Sequence, residues 1–223
     1  MPRAAPTTRR ERAAWTDRRL LVGIDEVGRG PLAGPVVAAA VVFPPDAPRI
    51  RGIRDSKVLN AARREGLAVL IRRRACRLGV GAASARLIDR LNIRGATAVA
   101  MRRALRRALG LRLEFGARLP GYHVVVDGLP FPELGFEHEG LVDGDALCYS
   151  IAAAGIVAKT VRDRLMYRLA RRHPGYHWDT NVGYGTAEHL AALDRLGPCP
   201  HHRRSFMPVV QFGLELLEGT TGR

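Results

Sequence analysis

Lysine is almost absent from this chain. Of its 36 basic residues, 34 are arginine, and only Lys57 and Lys159 are lysine. Where the chain tolerates arginine it uses arginine. The two lysines are thereby marked for work a planar guanidinium does poorly, such as presenting a compact, rotatable point charge. Cysteine is scarce as well. Cys76, Cys148 and Cys199 are an odd number without CxxC spacing. That argues against a disulfide framework or a zinc site and fits a reducing cytosol. Long apolar runs are missing too. Residues 36–43 and 151–158 are the longest, at eight residues each, against the roughly 20 a membrane helix requires. The basic N-terminus has no apolar stretch behind it, so it does not read as a secretory signal. The expectation is a cytoplasmic protein without a membrane partner, acting as a monomer.

Acid is the other deficit. There are 21 acidic residues, leaving a net charge of +15. A surplus of that size favours a polyanionic partner, nucleic acid above all. An arginine-rich proteome produces the same surplus with no such partner, so charge alone does not decide. Apolar residues make up 47% of the 223, enough for a full core in one domain.

Residues 1–18 lack periodicity and are expected to form a disordered basic tail. Leu20–Val27 and residues 36–43 are apolar and β-branched, with a Gly-Arg-Gly-Pro turn between them. They predict two neighbouring strands. Leu67, Leu70, Ile71 and Leu78 follow helical spacing, with Gly79 placed as a C-cap. Residues 80–85 suggest a third strand, and Leu87 to Leu109 one or two helices with an arginine-rich wet face. YHVVVD (Tyr122–Asp127) predicts a short buried strand, and Leu141-Val142 a weaker one. Residues 148–172 read as a long helix whose small apolar start packs in the core. Ala187–Leu196 and residues 209–217 read as shorter helices. Strands come early and helices late, which is a mixed α/β sheet followed by a helical end piece.

Four acids stand at strand or loop ends: Asp25, Glu26, Asp127 and Asp145. A carboxylate ending a buried strand is costly unless it is hydrogen-bonded or meets a cation. Several brought together repel one another, and a divalent metal resolves the repulsion. Hard Mg²⁺ or Mn²⁺ suits oxygen ligands. Each acid alone has a plainer explanation, since Asp127-Gly128 is also ordinary turn chemistry. Adjacent acids on a regular strand also face opposite ways. Asp25 and Glu26 share a site only if the strand ends or twists, which Gly28 and Gly30 permit.

The loop Gly28-Arg29-Gly30-Pro31 lets backbone approach a ligand closely. Here the residues become specific. GIDEVGRGPLAGPVVAAAVV (23–42) closely resembles the opening motif of the type 2 ribonuclease H (ribonuclease HII) family. DSK (55–57), LNI with AT (91–97), VDG (126–128), GDA (144–146) and SIAAAGIVAKTVRDR (150–164) follow in the family's order. So do GYGT with His189, and HRRSF (202–206). The resemblance spans Leu20 to Phe206. Two positions depart from it. Gly155 stands where the family usually has serine, and Val58 interrupts the run after DSK. Gly155 is expected to loosen its helix by up to ~1 kcal/mol, with neither departure touching a carboxylate.

The resemblance implies a ribonuclease H-like mixed sheet flanked by helices. The catalytic domain would span 19–172, and a small C-terminal helical subdomain 173–223. It implies that Asp25, Glu26, Asp127 and Asp145 hold Mn²⁺ or Mg²⁺ for two-metal hydrolysis, leaving 5′-phosphate and 3′-hydroxyl ends. Gly28, Arg29 and Gly30 would read a ribose 2′-hydroxyl, and Tyr184 would stack on the following sugar. Lys57 and Lys159 would contact phosphates, although Asp163, four residues on, offers Lys159 a helical ion pair. Asp55 is read as organising its loop and His202 as packing. The implied substrates are RNA–DNA hybrids and duplex DNA carrying single ribonucleotides. A resolvase-type nuclease would not need the GRG and GYGT pair. A non-catalytic nucleic-acid binder would gain nothing from four acids facing phosphate.

Overall fold

The computed structural model describes residues 5–110 and 119–211. Five strands form one sheet in the order β3-β2-β1-β4-β5. They are β1 (Leu20–Val27), β2 (Val36–Val42), β3 (Arg77–Ala83), β4 (Tyr122–Asp127) and β5 (Glu139–Leu141). β1 and β2 are antiparallel, as are β2 and β3. β4 runs parallel to β1, and β5 parallel to β4. This is the mixed sheet the sequence predicts.

Alternation along the strands splits the core into two layers. Val22, Ile24, Ala38, Ala40, Val124 and Val126 pack on α3 (Ala85–Leu109). Val37, Ala39 and Val41 pack on α2 (Ala61–Arg74) and α5 (Tyr149–Arg172). Every residue of α5 from 149 to 158 is buried, as its small side chains require. Arg103 and Arg107 of α3 donate to the Ala82 and Val80 carbonyls, covering the open side of edge strand β3, a standard protection against edge pairing.

Gly79 does not cap a helix. It lies inside β3, because α2 stops at Arg74 and the chain turns into the strand within three residues. Gly79 and Gly81 let α3 lie directly on β3. A Cβ on Gly81 would sit 2.0 Å from the Ala100 carbonyl oxygen, and backbone cannot yield as a side-chain tip can. Gly81→Ala is expected to cost about 3 kcal/mol through overpacking, read as a fall in the urea midpoint.

The disordered tail expected over 1–18 is not what the structure shows for its described part, residues 5–18. α1 (Arg9–Thr16) is helical and buries Glu11 and Ala14. Its anchor is polar, which is why no apolar period announced it. Glu11 Oε1 accepts hydrogen bonds from the Ser150 amide at 2.8 Å and the Cys148 thiol at 3.3 Å. The Thr7 carbonyl accepts from the Tyr149 amide. The N-terminal segment thus caps the start of α5. Within α3, Asn92 breaks the helix at φ 56°, and its side chain caps the next turn through the Arg94 and Gly95 amides.

After α5 the chain forms α6 (Trp178–Asn181) and α7 (Ala187–Leu196). Leu32, Ala33 and Met166 pack with Tyr176, Trp178 and Leu193 in one cluster. The helical end piece is therefore built onto the loop after β1. The helix expected over 209–217 lies mostly outside the described residues. No helix among the described residues is long and apolar enough to cross a membrane.

Candidate active site

The four acids meet at one end of the sheet. Pairing of β1 with β4 ends at Ile24 and Val126, so Asp25 and Asp127 follow side by side on neighbouring strand ends. Asp145 arrives from α4 (Gly144–Leu147), a single turn before α5. Asp25 and Glu26 occupy opposite faces of β1 by parity, yet β1 has lost its β4 neighbour there. Both reach one cavity of about 260 Å³. Asp127, Asp145, Gly28, Arg29, Gly30, Lys57, Lys159 and Tyr184 line that same cavity. Every residue expected from the sequence to hold metal or substrate therefore lines one cavity.

Electrostatics shows what the cluster costs. Burial raises the Asp25 carboxyl well above its ordinary value, and Glu26, Asp127 and Asp145 push it further the same way. Burial also raises Glu26, against the pull of Arg29, and raises Asp127 against donation from the Gly144 and Asp145 amides. Asp25, Glu26 and Asp127 rest on local donors. Asp25 Oδ1 accepts from the Glu26 amide at 2.7 Å, Glu26 pairs with Arg29 at 3.3 Å, and Asp127 Oδ1 accepts from the Gly144 amide at 2.8 Å. Among the described residues, no group of three or more such side chains is already gathered around one point. The donor set nonetheless fits a hard divalent cation. It is all carboxylate oxygen, mutually repelling, and partly withdrawn from water.

Gly155 has a part the sequence reading did not give it. A Cβ there would lie 2.3 Å from Asp25 Oδ2. The missing side chain leaves the space in which the Asp25 carboxylate rests against α5. The expectation that this departure touches no carboxylate is therefore corrected.

The surrounding loops are held by buried or half-buried arginines that sequence reasoning missed. Arg162 donates to the carbonyls of Pro35, Val182 and Ala33 at 3.0 to 3.2 Å. Arg203 donates to those of Gly28, Arg29 and Gly34. Arg64 donates to Ser56 and Leu59 carbonyls behind DSK and pairs with Asp163 at 3.0 Å. Asp55 accepts from the Lys57 amide, organising its loop as expected. Lys159 does form the helical pair with Asp163, at 2.7 Å. One signal for Arg162 was available. Ala158, Arg162 and Met166 share the buried stripe of α5, so a charge stood where helical spacing calls for an apolar residue. In a chain this rich in arginine, residue type alone said nothing.

Tyr184 is 48% exposed at the cavity rim rather than packed in the core. Its carbonyl accepts from His189 Nδ1 at 2.8 Å, and His189 Nε2 accepts from Trp178 Nε1 at 3.0 Å. His202 faces His189 at 3.1 Å, and its Nδ1 accepts from the Cys199 amide. These bonds are consistent only with two neutral imidazoles. Burial and the nearby histidines hold His202 down to about 3, against an ordinary 6.5. Between those values the unfolded chain binds a proton that the folded chain refuses. The share of stability that His202 carries is thus complete above about pH 6.5 and falls as pH drops, by about 1.4 kcal/mol per unit for one such group. The raised carboxyls act in the opposite sense, so the readout is the difference between wild type and His202→Gln: the wild type's advantage in urea midpoint should shrink from pH 6.5 to 4.5.

Comparison with known proteins agrees with this geometry. The family model described as Ribonuclease HII matches residues 22–209. A ribonuclease HII of Synechococcus sp. (strain JA-3-3Ab) is 49% identical over 92% of this chain and 89% of its own. Among solved structures, ribonuclease H2 from Pyrococcus horikoshii OT3 superposes with a TM-score of 0.70. It has 22% identity and covers 89% of this chain and 99% of that one. Bst-RNase HIII in complex with Mn²⁺ gives 0.66 at 20% identity, over 91% and 71%. The structures establish the ribonuclease H-like fold, and the sequence matches span nearly all of it. The chain belongs to the ribonuclease HII family, a family of metal-dependent endoribonucleases.

Proposed function

We propose that this chain hydrolyses the RNA strand of RNA–DNA hybrids and cuts on the 5′ side of single ribonucleotides in duplex DNA. One observation carries the reading. Four carboxylates, the GRG loop and an exposed tyrosine line a single cavity on a protein of net charge +15. A binder of phosphate gains nothing from such acids, whereas a hydrolase needs them to hold cations.

Asp25, Glu26, Asp127 and Asp145 would hold two divalent ions, Mn²⁺ or Mg²⁺. The chemistry such ions supply is activation of a water for in-line attack and neutralisation of the leaving 3′ oxygen. The chain's own residues do the rest. Gly28, Arg29 and Gly30 present backbone to the ribose 2′-hydroxyl, the group that tells RNA from DNA. Tyr184 offers its exposed ring to the next sugar. Lys57 and Lys159 sit on the cavity wall as compact charges for phosphates. Lys159 is oriented by Asp163. No cysteine or serine nucleophile is required. The molecule acts as a monomer in the cytoplasm, in keeping with a β3 edge already covered by Arg103 and Arg107.

The test is a labelled RNA–DNA hybrid incubated with Mn²⁺ or Mg²⁺ and, separately, with a chelator. The expected products carry 3′-hydroxyl ends that a polymerase extends, with no cleavage in chelator. Chelator-resistant cleavage, or 3′-phosphate ends, would contradict the proposed chemistry.

A further inference from the structure

We propose that Arg203 is the positioning residue that turns the GRG loop's amides toward the cavity, and so sets preference for a ribonucleotide. The inference rests on the function proposed above and names what shapes that site. Arg203 is fully buried, and among the described residues no carboxylate is bonded to it. Its guanidinium is spent on backbone. NH1 donates to the Arg29 carbonyl at 2.7 Å, NH2 to the Gly28 carbonyl, and Nε and NH2 to Gly34 at 3.1 and 3.0 Å.

The peptide plane converts this into function. In a trans peptide the C=O and the following N–H point in opposite directions. The Gly28 carbonyl is drawn inward to Arg203, so the Arg29 amide points outward. The Arg29 carbonyl is drawn inward as well, so the Gly30 amide also points outward. Among the hydrogen bonds of the described residues, neither amide has an acceptor. Both residues are exposed and line the cavity. Two adjacent donors without acceptors, each following a carbonyl held from behind by Arg203, are a ready seat for a hydroxyl or phosphate oxygen. Pro31, next in the chain, contributes no donor.

Arg162 supports the same loop from below. Its Nε lies only 2.0 Å from the position a Cβ on Gly28 would take. It joins the Ala33 carbonyl to that of Val182, on the segment that leads to Tyr184. The Leu32 and Ala33 amides donate to the Gly183 carbonyl, and the Arg203 amide donates to the Leu32 carbonyl. The GRG and GYGT loops are therefore tied into one unit, with the two arginines as its frame. Lysine cannot replace either, because one ammonium cannot span three carbonyls in a plane.

The experiment compares binding, in chelator, of a duplex with one ribonucleotide and the all-DNA duplex of the same sequence. The ratio of the two affinities is read for the wild type and for Arg203→Lys. Partial unfolding lowers both affinities equally, so a merely structural role leaves the ratio alone. The expected ratio falls about tenfold or more in R203K, while Mn²⁺ affinity stays within about twofold. A ratio within about twofold of the wild type overturns the proposal. A wild type without preference overturns the function proposed above, and this inference with it. If R203K has no cooperative unfolding transition, R162K carries the same comparison with the same expected loss.

Discussion

Asp25→Asn is expected to remove turnover, by on the order of 10³-fold or more, while making the metal-free protein more stable. Both effects have one cause. Asp25 is buried among Glu26, Asp127 and Asp145, and all three disfavour its charge. Its folded value lies above the ordinary 3.8. Between the two values the folded state holds a proton that the unfolded state has released, and the stability this brings is lost as pH rises from 3.8 through the raised folded value. Asparagine keeps the bond from the Glu26 amide and drops the charge. Without metal at neutral pH, the gain should be on the order of 1 kcal/mol, a rise in Tm of about 2–4 °C at this size. Added Mn²⁺ should raise Tm in the wild type and far less in D25N. A variant that lost stability and kept turnover would remove Asp25 from the site. Stability given up for a functional charge is a common trade.

The second large effect is expected at Gly28, in contrast with Gly30. Gly28 has φ +88°, and a Cβ there would meet Arg162 Nε at 2.0 Å. That side chain cannot yield, since it is buried and donates to three carbonyls. Gly28→Ala combines left-handed strain with overpacking, about 2–4 kcal/mol together. Displacing the loop should lower kcat/KM on a single-ribonucleotide duplex by about 10²-fold. At Gly30 a Cβ would meet only Tyr184 Cε1, at 3.9 Å. Gly30→Ala should leave stability within about 1 kcal/mol of the wild type. Urea denaturation and steady-state rates on both variants separate the two glycines of one motif. Equal losses at both positions would contradict the loop geometry.

Much of this is legible in the sequence alone, for identifiable reasons. β1, β4 and α7 carry strong local periods bounded by glycine, proline or a capping threonine, and their ends match the sequence reading. The acid quartet was legible because a carboxylate ending an apolar strand is locally anomalous. α1 was not, because a buried Glu11 holds it to a helix 139 residues away, and no local pattern records that bond. Gly79 read as a cap because glycine before a strand and glycine under a crossing helix look alike in sequence. Gly155 read as a helix defect because its partner, Asp25, lies 130 positions earlier in the chain. Arg162 and Arg203 stayed hidden among 34 arginines. Their role rests on which carbonyls they meet, and that is a property of three loops folded together.

The central claim joins a metal-dependent cut to a 2′-hydroxyl read by Gly28, Arg29 and Gly30. Its most direct test uses a labelled DNA duplex bearing one ribonucleotide, with Mn²⁺ or Mg²⁺, beside the same duplex in DNA alone. The account predicts a single metal-dependent cut on the 5′ side of the ribonucleotide and an intact control. Equal cleavage of the control, or no metal-dependent cleavage of either duplex, would contradict it.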